Sequence, residues 1–315
     1  MDQLKLACQR LNSGGCRPVD QGRPGWLASG LQEGGPADRA TVMHLNSLLG
    51  QAAFTPCLEF TLDAGHWRLR GRGQMALGGA DMQWRINNQP VELYSTIELD
   101  GDYLLQGKRA LRGARSYLAV RGEWIGLPQV WGSCSPGAPG IRPCQLGDTY
   151  QIKSKGPTAT SSDLDINQHL PELPLRVPVY TGPEFGALPL KQRRALFDQQ
   201  WTVSPASNRQ GLRLVAKGAS PVNAAVIDKT QARWSISGYG VGQYIDQQYS
   251  IQSSLISSPV LPGTVQLTPS GPILLFRDAQ TVGGYPRALV AATDSLNLIG
   301  QLLPGDDIYF DWAEN

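Results

Sequence analysis

The polar residues of this chain that could do chemistry fall in four short stretches, each rich in turn formers. The first, Gly14-Gly15-Cys16-Arg17-Pro18-Val19-Asp20-Gln21-Gly22-Arg23-Pro24-Gly25-Trp26, carries Asp20 and Arg23. A carboxylate and a guanidinium so close either pair with each other, a weak contact at a surface, or face a ligand. The second, Gly132-Ser133-Cys134-Ser135-Pro136-Gly137, follows an aliphatic and aromatic run that ends at Trp131. Hydroxyls and backbone amides of Ser133 and Ser135 can converge on an oxyanion as a nest does, or they simply cap a turn. The third places Ser204 and Arg209 on a polar loop within Trp201-Thr202-Val203-Ser204-Pro205-Ala206-Ser207-Asn208-Arg209-Gln210-Gly211-Leu212-Arg213-Leu214. The fourth is Asp278-Ala279-Gln280-Thr281-Val282-Gly283-Gly284-Tyr285-Pro286-Arg287.

The fourth stretch needs an element to present it. Pro272-Ile273-Leu274-Leu275-Phe276 reads as a buried strand that delivers Gln280 and Thr281 to a loop. The Gly pair is expected to turn the backbone sharply, Gly283 and Gly284 taking positive φ and admitting a ligand or another backbone closely, and Pro286 fixes the chain direction after Tyr285. The strand end is then the floor of a polar pocket, or an ordinary Gly-Gly turn with an aromatic lid.

The rest of the chain has the same texture. With 36 glycines and 23 prolines in 315 residues and 41% hydrophobic content, short strands joined by turns are predicted around a normal core, so the protein is expected to be mainly β. One helix is expected from Pro36 to about Leu49, with Asp38 in its first turn and Val42, Leu45 and Leu49 on one core-facing side. Asn46, at the margin of that stripe, is expected to hydrogen-bond inward. A second short helix is expected near residues 189–199. Strands are predicted at Leu58-Glu59-Phe60-Thr61-Leu62, at 75–81 and at 116–120. Glu59 is either a buried carboxylate needing a donor or the outward residue of an alternating strand, and alternation favours the second. Trp67-Arg68-Leu69-Arg70-Gly71-Arg72 alternates apolar and charged residues, as a strand with a solvated edge does. Pro304-Gly305-Asp306 is a turn before a last strand that closes a barrel. The polar segment 153–170 reads as a linker, which divides the chain into domains 1–162 and 163–315.

Several classes are excluded by composition. The net charge of +2 and the lack of a basic block interleaved with aromatics argue against nucleic acid. Five cysteines without CxxC spacing and three histidines without motif partners argue against a metal site or a disulfide framework. No apolar run reaches membrane-spanning length and the first residues lack a signal-peptide core, so a cytoplasmic protein without membrane association is expected. There is no GxSxG, P-loop, GxGxxG in a βαβ setting or HExxH, and composition and spacing leave the catalytic residues unknown.

Taken in order, these motifs resemble the allophanate hydrolase subunit 2 family, also called biotin-dependent carboxyltransferase-like, and most of all its branch of C-type 5-oxoprolinase subunits. The resemblance rests on Asp20 with Gly22-Arg23-Pro24-Gly25, Gly34-Gly35-Pro36-Ala37-Asp38, Leu58-Glu59-Phe60-Thr61, Arg115-Ser116-Tyr117-Leu118-Ala119-Val120 and Gly132-Ser133-Cys134-Ser135. It continues through Gly182-Pro183-Glu184, Ser204, the 207–214 segment, Pro262-Gly263-Thr264-Val265-Gln266 and the 278–287 stretch. It departs from the family pattern at Val19-Asp20-Gln21-Gly22-Arg23, which is one residue short, in the rigid loop after Ser135, and at Val282, where a second Thr is usual.

The resemblance implies two cyclophilin-like β-barrel domains with a few short helices. It further implies one component of an ATP-dependent 5-oxoprolinase, a hydrolase complex that opens the lactam of 5-oxo-L-proline to L-glutamate. Its partners would be a subunit 1 homologue, of the B type in 5-oxoprolinase, and a homologue of the A type. ATP would be bound with or by the partner subunit, and no biotin attachment is expected in this chain. Other roles in the family are a carboxyltransferase-like component acting on urea or a related amide and an antagonist of a kinase inhibitor. Substrate- or nucleotide-binding candidates are Asp20, Arg23, Asp38, Ser133, Ser135, Ser204, Arg209, Gln266, Gln280, Thr281, Tyr285 and Arg287.

Overall fold

The computed structural model describes residues 5–12, 14–156, 170–217 and 256–314. Their contacts divide the chain into two compact units, Met1–Trp26 with Glu33–Pro171 and Asn297–Leu303, and Leu27–Gln32 with Glu172–Leu296 and Pro304–Asn315. The domain edge expected at residue 162 lies outside the described residues. Both units are built of strands, as the glycine and proline content predicts: one is a curled half-barrel, the other a closed barrel.

The first unit contains β1 (Lys5–Arg10), β2 (Gly15–Val19), α1 (Arg39–Leu48), β3 (Cys57–Thr61), β4 (His66–Asp81), β5 (Arg85–Ile86), β6 (Gln89–Pro90), β7 (Thr96–Gln106), β8 (Arg112–Val120), β9 (Gly122–Ile125) and β10 (Thr149–Ser154). They form a ten-stranded sheet whose main path is β2-β3-β8-β4-β1-β10-β9, with β7 also paired to β4. The strand β4 joins the two segments predicted separately at 67–72 and 75–81, since its pairing with β7 runs unbroken from His66 to Ala76, and within it Gly71 takes φ +118° where any Cβ would strike the Lys5 carbonyl of β1. Its Arg-rich half is therefore an inner strand rather than an edge. Trp67 and Leu69 face the core, while Arg68 and Arg70 both pair with Asp102 of β7 on the wet face. The aromatic centre is Phe60, edge-on to Trp67 at 5.6 Å and to Trp84 at 5.0 Å.

The helix α1 lies on this sheet through Val42, Leu45 and Leu49, packed with Cys57, Ala76, Tyr117 and Ala119. Burying that stripe is worth about 1.5–3 kcal/mol per large side chain. Gly78 of β4 admits the helix, since a Cβ there would lie 3.0 Å from Leu45 Cδ2. Asn46 is buried and donates to the Ala53 and Thr55 carbonyls, both at 3.0 Å, as expected for a polar residue at the margin of an apolar stripe. The helix starts later than predicted. Asp38 is its N-cap, accepting from Thr41 N at 3.0 Å, so Pro36 precedes the helix instead of opening it.

The second unit contains β11 (Leu175–Thr181), α2 (Leu190–Asp198), β12 (Trp201–Val203), β13 (Gly211–Ala216), β14 (Ser258–Pro259), β15 (Thr264–Thr268), β16 (Gly271–Leu275), β17 (Val282–Gly283), β18 (Arg287–Ala291), α3 (Ser295–Ile299, the latter half of which belongs to the first unit) and β19 (Asp307–Trp312). Seven of these strands close a barrel in the order β11-β18-β15-β16-β13-β12-β19. The closure comes from the last strand, as the Pro304-Gly305-Asp306 turn predicts: β19 pairs parallel to β11 and antiparallel to β12. Alternate residues fill the barrel, among them Val177, Val179, Val203, Leu214, Val265, Leu274 and Phe310, all buried. Outside the barrel, β14 and β17 form a two-stranded ribbon that carries Val282 and Gly283.

Candidate functional site

In the first unit, β2 ends at Val19 and hands Asp20 to a turn, while the long connection between β9 and β10 brings back Ser133, Cys134 and Ser135. Asp20 does not pair with Arg23. Its Oδ1 accepts from Ser133 Oγ at 2.5 Å, Ser135 Oγ at 3.1 Å and Gly22 N at 3.0 Å, and its Oδ2 accepts from Cys134 N at 2.7 Å. The converging hydroxyls and amide do bind an anion, and that anion is the chain's own carboxylate. Arg23, buried, donates from Nε to the Val130 carbonyl at 3.1 Å and from Nη2 to the carbonyls of Ser133 and Ser135. Asp20 and Arg23 thus hold the same loop by opposite means, one through its donors and one through its carbonyls. A cleft of about 720 Å³ opens beside this knot, lined by Asp20, Gln21, Phe54, Trp124 and Gly132 among others.

Asp38 lies in a different network. Besides capping α1 it accepts from Gln301 Nε2 at 2.8 Å, and its backbone N–H donates to the Tyr117 hydroxyl at 2.9 Å. That hydroxyl donates to Glu59 Oε2 at 3.0 Å, which also accepts from Ala37 N at 2.8 Å. Glu59 is fully buried, so the outward reading favoured by alternation fails, because the β3 residue faces the turn before α1 rather than solvent. Burial, with the Glu59 charge beside it, pushes the Tyr117 hydroxyl well above its ordinary value. The hydroxyl therefore stays a donor. Glu59, Tyr117 and Gln301 are not legible as partners in the sequence, since the Glu59 donors come from 22 and 58 residues away.

In the second unit, the strand predicted at 272–276 is β16, which spans Gly271–Leu275 and delivers the following loop. At its start, Asp278 receives a two-pronged ion pair from Arg209, Nε to Oδ2 and Nη2 to Oδ1, both at 2.9 Å. Both residues are buried, so this is a clamp between two loops. At its end, Arg287 pairs with Glu184 through its backbone N and Nε at 2.9 Å and through Nη2 at 2.5 Å, and it donates Nη1 to the Pro259 carbonyl at 2.8 Å. The Arg287 guanidinium holds the Glu184 carboxyl below its ordinary value of 4.5.

Between those two ion pairs lies a ladder of amides. Gln280 Nε2 donates to Gln266 Oε1 at 3.3 Å, and Gln266 Nε2 donates to the Tyr285 carbonyl at 3.3 Å. Gln266 is buried in β15, whereas Gln280 and Tyr285 are exposed. Thr281 is half-buried and its carbonyl accepts from Val260 N at 3.0 Å. Neither Gly283 nor Gly284 takes positive φ, contrary to the turn reading. The reason for glycine at 283 is close approach: a Cβ would sit 2.5 Å from Gln266 Nε2. Ser204 does not join this group. Its Oγ accepts from Ala206 N at 3.2 Å and shapes the turn after β12.

The structure therefore gathers Asp20, Arg23, Ser133 and Ser135 in one cluster and Gln266, Gln280, Tyr285 and Arg287, with Thr281 alongside, in another. It leaves Asp38, Ser204 and Arg209 in supporting roles. Glu184 and Asp278, which neutralise Arg287 and Arg209, escape recognition as site residues because nothing local marks them as partners. Among the described residues no group of three or more His, Cys, Asp or Glu side chains is placed to hold a metal ion, and no helix is long and apolar enough to cross a membrane.

Comparison with known proteins agrees with the motif resemblance. The C-type 5-oxoprolinase subunit of Escherichia coli strain K12 is 31% identical over 299 residues, which span 92% of this chain and 86% of that protein. The C-type 5-oxoprolinase subunit of Haemophilus influenzae is 27% identical over 301 residues, spanning 93% of this chain and 86% of that one. The crystal structure of the K. lactis urea amidolyase has the same fold, with a TM-score of 0.77 at 23% identity; the match covers 100% of this chain and only 19% of the amidolyase chain. Residues 29–312 match the carboxyltransferase domain, subdomain A and B, and the chain belongs to that family.

Proposed function

We propose that this chain is the C-type component of an ATP-dependent 5-oxoprolinase, opening the lactam of 5-oxo-L-proline to L-glutamate together with homologues of the A-type and B-type subunits. The observation that carries this reading is the similarity to the Escherichia coli protein over 86% of that protein's length.

The chemistry fits the ladder on the second unit. A lactam is resonance-stabilised, so its carbonyl oxygen has to be activated before water attacks the carbon, and groups fixed in advance toward that oxygen do most for the rate. A five-membered lactam also shows its N–H and C=O side by side on one edge. The primary carboxamide of Gln280 presents an acceptor and a donor with matching spacing, and it is exposed while its own Nε2 is oriented by Gln266. Gln266 is the positioning residue, Tyr285 covers the substrate and Thr281 adds a hydroxyl. Arg23, Arg209 and Arg287 all donate to internal acceptors. ATP is accordingly assigned to the partner subunits, which would complete the pocket.

The test is substrate choice by the reconstituted complex. With the A-type and B-type homologues added, 5-oxoproline plus ATP should yield glutamate and ADP, and urea plus bicarbonate should yield no ADP. Stable assembly without turnover of 5-oxoproline would favour a binding or regulatory role; carboxylation of urea with separate biotin proteins would favour the carboxyltransferase-like role.

A further inference from the structure

Two of the five cysteines differ from the rest in place and surroundings. Cys8, Cys57 and Cys134 are 0% exposed, and burial pushes their thiols up, Cys8 to about 12, as it also pushes up the Cys16 thiol. Cys16, in β2, and Cys144, in the connection before β10, are 5% and 6% exposed, at the margin of the first unit's core. Their sulfurs lie 3.3 Å apart, and Cys144 N donates to the Cys16 carbonyl at 3.0 Å, so the two residues are held side by side. The Cys144 sulfur also accepts from the Tyr150 hydroxyl at 3.0 Å, and the Arg10 side chain donates to the Cys144 carbonyl. The hydrogen bond with Cys16, followed by that from Tyr150 and the Arg10 charge, pulls the Cys144 thiol below its ordinary value although burial opposes this.

Two thiols held with their sulfurs 3.3 Å apart, one of them with its pKa lowered, are the arrangement of a redox-active pair. We infer that Cys16 and Cys144 are a modification site, oxidised by hydroperoxides to a reversible disulfide that staples β2 to the loop carrying Ser133 and Ser135. The thiolate of Cys144 attacks one peroxide oxygen, breaking the O–O bond; the sulfur becomes sulfenic acid and the other oxygen leaves as water after taking a proton. Cys16, losing its proton, then attacks the Cys144 sulfur and displaces a second water. Two thiols and one hydrogen peroxide give one disulfide and two waters, with the sulfurs oxidised by two electrons in all. A dithiol reductant reverses the step by exchange.

The link has a structural consequence. Cys16 lies on the strand that leads into Asp20, and Cys144 lies on the connection that carries Ser135. The crosslink spans 128 positions and joins the two segments that make the Asp20 knot. Closing so long a loop stabilises the native state by restricting the unfolded chain.

The reduced full-length protein is treated with a slight excess of hydrogen peroxide, and its intact mass, peptide map and melting are then measured. The expected result is a loss of about 2 Da with a Cys16–Cys144 crosslinked peptide, a Tm higher by roughly 5 °C, and reversal of both by dithiothreitol. Cys16→Ser should instead trap Cys144 as sulfenic acid, a gain of about 16 Da that a dimedone-type probe captures. Free thiols at both positions after exposure, or a crosslink between any other pair of cysteines, would overturn the inference. The wild-type mass alone decides it if the Ser variant does not fold.

Discussion

Gly283 lies so close to Gln266 that a methyl group on its Cα would sit 2.5 Å from the Gln266 Nε2. What yields in Gly283→Ala is the far end of the Gln266 side chain, and with it both hydrogen bonds of the amide ladder. The expected stability loss is about 1 kcal/mol, that of a hydrogen bond. The loss in kcat/KM of the reconstituted complex should be at least about tenfold. Urea unfolding beside steady-state kinetics separates the two effects. An Ala variant with full activity would remove the ladder from the site.

The Asp20 knot predicts chemical rescue. Asp20→Ala leaves the hydroxyls of Ser133 and Ser135 and the Cys134 N–H without their acceptor, at a cost of about 1–3 kcal/mol. Formate is the missing carboxylate in free form. Added at millimolar levels it should raise the Tm of Asp20→Ala and leave that of the wild type unchanged, and equal response of both proteins would show that the donors do not form an anion site.

Arg209 and Asp278 should behave as one structural unit. Removing the guanidinium in Arg209→Ala strands a buried carboxylate and is expected to cost about 3–5 kcal/mol. Arg209→Lys should recover little of it, because an ammonium cannot reproduce the two-pronged contact. Denaturant unfolding of the two variants and of Asp278→Asn checks this. Unchanged stability with abolished turnover would instead put Arg209 against substrate.

The Glu184–Arg287 pair sets a pH dependence. Arg287 lowers the Glu184 pKa from 4.5 in the folded protein, so below that value the unfolded chain binds more protons than the native one. The contribution of the pair is full above about pH 5 and fades as pH falls through the folded-state value. Glu184→Gln should therefore be less stable than wild type at pH 7, and the difference between them should shrink toward about pH 3. A constant difference across that range in thermal melts would contradict the assignment.

How much of this is legible in sequence depends on the range of the interaction. The core face of α1, the strand β16 and the barrel-closing strand β19 are set by periodicity and turn residues that lie close together in the chain, and the sequence predicts them. The motif resemblance marks nearly every segment of both clusters. What neither supplies is pairing: Asp20 meets donors 113 to 115 positions away, and Arg209 meets Asp278 at a separation of 69. Hence Asp20 and Arg23, neighbours in sequence, read as possible partners and are not. Glu59 misleads for the same reason, since a buried carboxylate and an outward one look alike until the donors arrive from other elements.

The most direct measurement is release of glutamate and ADP from 5-oxo-L-proline and ATP by the A-type and B-type homologues, with this chain present, omitted and restored. The account predicts turnover that disappears on omission, returns on addition, and falls at least about tenfold when the restored chain carries Gln280→Ala. Equal glutamate release with and without the chain would contradict it.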